Sequence, residues 1–160
     1  MQDRLWNKSF LLCLLLQTLY MLSFNMVTPL IARYAVVLGE SLTSAGLIAG
    51  MFSFCALIMR PFIGYISDRV NRRRFMMLGL IIGAIAMVGY GFSQVAAMLV
   101  VFRVLHALAL SIQTTVITII AVDFIPSARI AEGVGYVGIA AMIGMSIGPG
   151  IGVALAEGIG

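Results

Sequence analysis

The feature that most restricts what this chain can become is a succession of long apolar runs. A helix rising about 1.5 Å per residue needs about 20 apolar residues to cross about 30 Å of hydrocarbon. Runs of that kind lie at about 10–32, 44–66, 75–91, 95–124 and 133–156, separated by short polar joints. Across the 160 residues, 62% are hydrophobic and only 10% are charged, against about 25% charged in an ordinary soluble domain. The polar side chains are too few to cover a water-facing surface, which excludes a soluble enzyme, a coiled coil and a disordered tail. An outer-membrane barrel would alternate apolar and polar residues over about ten residues per strand, and no such alternation is present. The expected fold class is all-α, a polytopic membrane helix bundle.

The first run has a competing reading as a signal peptide, with Arg4 and Lys8 as its charged front. It outruns the usual apolar region of about 7–15 residues and ends in no small-residue cleavage site, so a retained span is expected. Cys13 and Cys55 sit in apolar stretches without metal-ligand spacing, and neither a metal nor a cofactor is expected. After Glu157 only Gly158, Ile159 and Gly160 follow. A sixth span has no room, so the bundle is expected to be incomplete, with no second domain.

Orientation follows from Lys and Arg placement. With the N-terminus inside, Arg4, Lys8, Arg69, Arg72, Arg73, Arg74 and Arg129 fall on the inner side and Arg33 alone on the outer, while Arg60 and Arg103 lie within spans. Positive charge is retained on the cytoplasmic side of short loops, so a multi-pass protein of the cell (plasma or inner) membrane with a cytoplasmic N-terminus is expected. The net charge of +4 is accounted for by topology and does not require a nucleic-acid partner. The lipid bilayer is the expected surrounding, and anionic lipid is expected to touch Arg72–Arg74.

The most specific stretch joins the second and third runs: Gly64-Tyr65-Ile66-Ser67-Asp68-Arg69-Val70-Asn71-Arg72-Arg73-Arg74. Gly64 offers a close approach to the end of the second span. Asp68, at the membrane surface, calls for neutralisation by Arg69, by the Arg72–Arg74 group or by a helix N-terminus. A plain positive-inside stop signal accounts for the arginines but not for Asp68 or Gly64. The stretch resembles the signature loop of the major facilitator superfamily, with Gly64, Asp68, Arg69, Arg72 and Arg73 in register. Asn71 stands in place of the usual glycine, a mild departure because asparagine tolerates a left-handed turn. The resemblance implies a conformational latch formed by Gly64, Asp68, Arg69, Asn71, Arg72 and Arg73, closing against a second helix bundle on the cytoplasmic side.

In the fifth run Gly135, Gly144, Gly148, Pro149 and Gly152 resemble the antiporter motif of the same superfamily, its drug:proton branch especially, with Val153 where a final glycine is usual. Gly144, Gly148 and Gly152 recur every fourth residue and form one smooth face suited to backbone packing. Pro149 removes an amide donor and is expected to bend the helix. Generic small-residue packing is the alternative, of which Gly46/Gly50 and Gly79/Gly83 are further examples. The resemblance implies a face that packs against the opposite half and seals the outer entrance.

In the fourth run Arg103, His106, Gln113 and Thr114 fall within about a 100° arc at 100° per residue. An arginine at that depth costs about 2.5–3.5 kcal/mol on insertion scales, so it should face the bundle interior. The polar stripe points to a watery cavity. The superfamily often has Arg-x-x-Gln-Gly here, and only Arg103 matches. An unperturbed imidazole, with its pKa of about 6.5, suits a proton relay, and the alternative for His106 is a hydrogen bond to a neighbouring helix. In the first run the stretch Asn25-Met26-Val27-Thr28-Pro29 resembles the substrate-lining first helix of the superfamily, and Asn25 and Gln17 are equally suited to bonding a ligand or another helix. The candidate cavity or proton path is therefore Asn25, Arg103, His106 and Gln113.

Taken together, the resemblance implies an incomplete N-terminal six-helix half of a major facilitator superfamily transporter, with no enzymatic chemistry. Its expected activity is proton-coupled efflux of drugs or other small molecules by alternating access. The partners implied are a small-molecule substrate, protons, and the missing C-terminal half or an equivalent bundle. The rival reading is a truncated, non-transporting membrane interaction module that packs against a partner bundle.

Overall fold

The computed structural model describes residues 5–159, so Arg4, used in the charge argument, lies outside the described residues. Among these residues the chain forms five long helices: α1 (Lys8–Val37), α2 (Leu42–Ser67), α3 (Arg72–Phe92), α4 (Ala96–Val122) and α5 (Ile130–Ile159). A single 3-10 turn, Ser127–Arg129, precedes α5. Each long helix meets the length and apolarity needed to cross a membrane, and the shortest, α3, is about 32 Å long at 1.5 Å per residue. Large apolar side chains such as Leu12, Leu57, Phe62, Val88 and Met142 are more than half exposed. In water they would form an aggregation surface, whereas in a bilayer they are solvated by lipid. The chain is an all-α, multi-pass membrane protein.

Helix ends follow local chemistry rather than the ends of the apolar runs. Helix α1 passes Arg33 and stops only where Gly39 takes a φ of 93°. There Glu40 N–H donates to Ala35 O at 3.1 Å and Gly39 N–H to Val36 O at 3.0 Å, the paired bonds of a Schellman C-cap. Ser41 then caps α2, its Oγ accepting from Ser44 N–H at 3.1 Å. Asn71 caps α3 in the same way, accepting from Arg74 N–H at 3.1 Å. Helix α4 ends at Val122, before the expected Phe124, because Ile125 precedes Pro126 and is pushed out of the helical region. Helix α1 runs through Pro29, α2 through Pro61 and α5 through Pro149.

Two compact units make up the chain. Among the described residues the first contains 5–27 and 116–159. Its apolar core is Leu5, Phe10, Cys13, Ala121, Ile125 and Val137, and Trp6 packs on Tyr136 with ring centroids 4.7 Å apart. Asn7 performs two tasks there, accepting from Phe10 N–H at 2.9 Å to cap α1 and donating to Phe124 O at 2.8 Å. The second unit contains residues 28–115. Within it the α4 segment lies between α2 and α3, and α4 is the most buried helix, at 56% of its apolar window against 17–28% for the others.

Contact pairs in the second unit fix helix direction. Gly79 meets Ile112, Gly83 meets Ala109 and Gly89 meets Phe102, so numbers rise on α3 as they fall on α4 and the two run antiparallel. Arg103 bonds Ala49 and Ser111 bonds Ala56, a nearly constant offset that makes α2 and α4 parallel. Consecutive spans of a membrane chain must alternate in this way.

Candidate functional site

Of the polar residues expected to share one face of α4, Arg103, His106 and Gln113 are interior and Thr114 is half-buried. Arg103 is wholly buried, with His106, Ser111 and Gln113 no more than 2% exposed. Within the second unit they are occupied with neighbouring helices. The Arg103 Nη2 group donates to Ala49 O on α2 at 2.8 Å, and the guanidinium carbon lies 4.5 Å from the centre of the Phe52 ring, within cation–π range. His106 Nδ1 is 3.1 Å from the Tyr90 hydroxyl on α3. Gln113 Nε2 donates to Met76 O on α3 at 2.7 Å. The Ser111 hydroxyl is within bonding distance of its own helix at Ala107 O, 2.9 Å, and of α2 at Ala56 O, 3.2 Å. Where the sequence pointed to a watery stripe, these side chains act as interhelical ties. Carbonyls freed by no proline still accept a second bond, and such ties are worth about 0.6–1.7 kcal/mol each in lipid.

Arg103 is incompletely satisfied. Its Nε and Nη1 have no hydrogen-bond partner among the described residues. A buried guanidinium with unused donors is costly unless another group meets it, so this is the most polar unfinished point in the second unit. Sequence reasoning found Arg103 and His106 but missed Tyr90 and Ser111. The signal for Tyr90 was its place between Gly89 and Gly91, the only hydroxyl in an otherwise apolar helix end.

The α2–α3 loop is built from two caps. Asp68 is the C-cap residue of α2, its N–H reaching Gly64 O and Ile66 O, and Asn71 opens α3. The Arg69 guanidinium stacks on the Tyr65 ring at 3.8 Å instead of pairing with Asp68. The Asp68 carboxylate is exposed and forms no ion pair among the described residues. Arg72 is half-buried and Arg73 exposed. A Cβ added at Gly64 would meet nothing within 4 Å, and the same holds at Gly46 and Gly50 on α2. No close helix contact uses these three glycines here, in contrast to Gly79 on α3, where an added Cβ would lie 2.7 Å from Ile112 Cγ2.

The glycine face of α5 has a different partner from the one expected. Gly144 lies under Thr18, Met21 and Leu22 of α1, Gly148 under Leu22, Asn25 and Met26, and Gly152 under Met26. The offset between the two helices stays near constant along this seam, so α1 and α5 run parallel. Thr18 adds a bond from its hydroxyl to Ala140 O at 3.1 Å. The surface thought to await a second bundle is filled by the chain's own first helix, because three side-chain-free turns in a row let backbones touch. Gly135 is exposed on the other side of α5 and would meet nothing, since nine residues at 100° each amount to half a turn. Pro149 is half-buried beside the seam. Asn25 is also half-buried, donating to Met21 O of its own helix at 2.8 Å with its Cβ toward Gly148.

Five membrane-length helices with charged loops and a buried arginine define a polytopic membrane helix bundle. The chain matches the Major Facilitator Superfamily family model over residues 13–160. It is also 26% identical over 139 residues to the quinolone resistance protein NorA of Staphylococcus aureus, an alignment covering 87% of this chain and 36% of that protein. A similar match, 26% over 137 residues, covers 86% of this chain and 36% of an uncharacterized MFS-type transporter, MJ1560, of Methanocaldococcus jannaschii. The chain therefore belongs to the major facilitator superfamily, and it spans about a third of the length of the curated relatives it matches.

Proposed function

We propose that this chain is the N-terminal bundle of a secondary transporter that moves small molecules across the membrane by alternating access. In this reading it works with a second helix bundle, which the 36% coverage of the relatives leaves room for. The similarity to a quinolone resistance protein supports export of drugs or other small molecules, and the α5 motif of the antiporter branch supports coupling to protons. The Lys and Arg bias supports a cytoplasmic N-terminus in this reading. No bond of the substrate is made or broken, because what such a protein does is bind and reorient.

The observation that carries the reading is Asp68. A carboxylate exposed at the end of a membrane helix, without an ion pair among the described residues, stands beside a helix face bearing Gly46, Gly50 and Gly64 that no close contact fills. That is the form of a latch whose other part lies elsewhere: paired in one packing of two bundles and released in the other. Arg103, with its two unused donors near Tyr90 and His106, is the candidate for sensing proton or substrate in the middle of the span. A non-transporting module that docks on a partner bundle would use the same open α2 face.

Efflux from proteoliposomes holding the protein expressed from its complete reading frame separates the two readings, using an imposed pH gradient and a panel of lipophilic cations. Uphill export that collapses with the gradient is expected. Asp68→Asn should abolish it while leaving membrane insertion intact. Unchanged export in that variant would remove the latch, and no gradient-driven movement of any solute would favour the docking module.

A further inference from the structure

A hollow of about 550 Å³ lies beside the first turns of α3, lined by Asn71, Arg73, Arg74, Met77, Leu78 and Ile81. Asn71 and Arg73 at its rim also belong to the loop read as the latch, whereas Arg74 and the apolar floor of Met77, Leu78 and Ile81 have no part in the transport reading. Its composition is divided along the helix: two guanidinium groups at the loop end, then an apolar floor descending the span. Met77, Leu78 and Ile81 are about half exposed, at 52%, 48% and 54%. Their spacing places them with Arg74 on one face of α3. Arg73 and Arg74 are exposed and form no ion pair among the described residues. At the start of α3 the Asn71 side chain already occupies the Arg74 N–H, so anion recognition at this point falls mainly to the two guanidinium groups.

We infer that this hollow is a binding site for one anionic phospholipid, its phosphate held by Arg73 and Arg74 and an acyl chain lying on Met77, Leu78 and Ile81. Charge complementarity selects the headgroup, since paired guanidinium forks suit phosphate oxygens. The vertical order selects a lipid over a free anion. A soluble phosphate would use the arginines and leave the apolar floor bare, whereas a lipid fills both at the depth where bilayer headgroups give way to hydrocarbon. An apolar peptide would leave the two cations unmatched.

The test is native mass spectrometry of the complete protein released from nanodiscs of phosphatidylcholine with a fifth phosphatidylglycerol. Wild type should retain phosphatidylglycerol in preference to phosphatidylcholine. In Arg73→Gln/Arg74→Gln that preference should fall by about 30-fold, from about 1 kcal/mol per arginine at a charged surface. Lys8→Gln, which removes a cation elsewhere, should leave it unchanged. Leu78→Gln should weaken retention with both arginines intact. Inorganic phosphate at millimolar concentration should fail to displace the lipid. Equal retention of both lipids, retention unaffected by the double substitution, or displacement by inorganic phosphate would each overturn the assignment. So would protection of Arg73 and Arg74 by a second bundle in the complete protein.

Discussion

Alanine at Gly144 tests the α1–α5 seam most sharply, because the geometry fixes the sign of the effect. A Cβ there would stand 2.5 Å from Thr18 O and 2.7 Å from Leu22 N. Both are backbone atoms of α1 and cannot rotate away. Ordinary contact begins at 3.4 Å, so the helices must separate by about 0.9 Å along a seam that continues through Gly148 and Gly152. Overpacking of this kind costs about 1–3 kcal/mol. At Gly135 an added Cβ meets nothing within 4 Å, and the same change should help by up to about 1 kcal/mol through helix propensity. The two variants are thus expected to shift stability in opposite directions and to differ by about 1–4 kcal/mol. Reversible unfolding in mixed micelles, followed by circular dichroism against denaturing detergent, reads that difference. Equal stability of Gly144→Ala and Gly135→Ala would refute the seam.

Other substitutions probe the ties of α4. Gln113→Leu removes the bond to Met76 O and should lower stability by about 1 kcal/mol in the same unfolding assay. Arg103→Lys keeps the charge, but one ammonium cannot serve Ala49 O and lie flat over the Phe52 ring together, so initial rates of export should fall at least about tenfold with normal membrane insertion. Tyr90→Phe removes only the hydroxyl facing His106, and it should shift the pH profile of export more than its maximum rate.

The pattern of apolar runs was enough to read the five helices from the sequence, because lipid allows few alternatives to a helix for a buried backbone. Their ends were harder. Val37 and Val122 are set by Gly39 and Pro126 acting on carbonyls and φ angles, which hydropathy does not register. Arg103 was legible because its cost demands an interior place. The role of its neighbours was not, since a 100° arc of polar side chains looks the same whether it faces water or the carbonyls of α2 and α3. The α5 glycines were legible as a packing surface but not as one facing α1. Spacing reveals that a face is smooth and says nothing about which helix lies against it. Asp68 was legible as the charge of the loop, but its expected neutralisation by Arg69 was not met, because the stacking of Arg69 on Tyr65 depends on a turn geometry the motif does not specify.

The most direct measurement compares two preparations in sealed proteoliposomes with an imposed pH gradient: the complete protein, and residues 1–160 alone, with insertion of each verified by protease protection. The account predicts uphill solute export from the complete protein only, lost in Asp68→Asn. Export by the 160-residue chain at a comparable rate would contradict it.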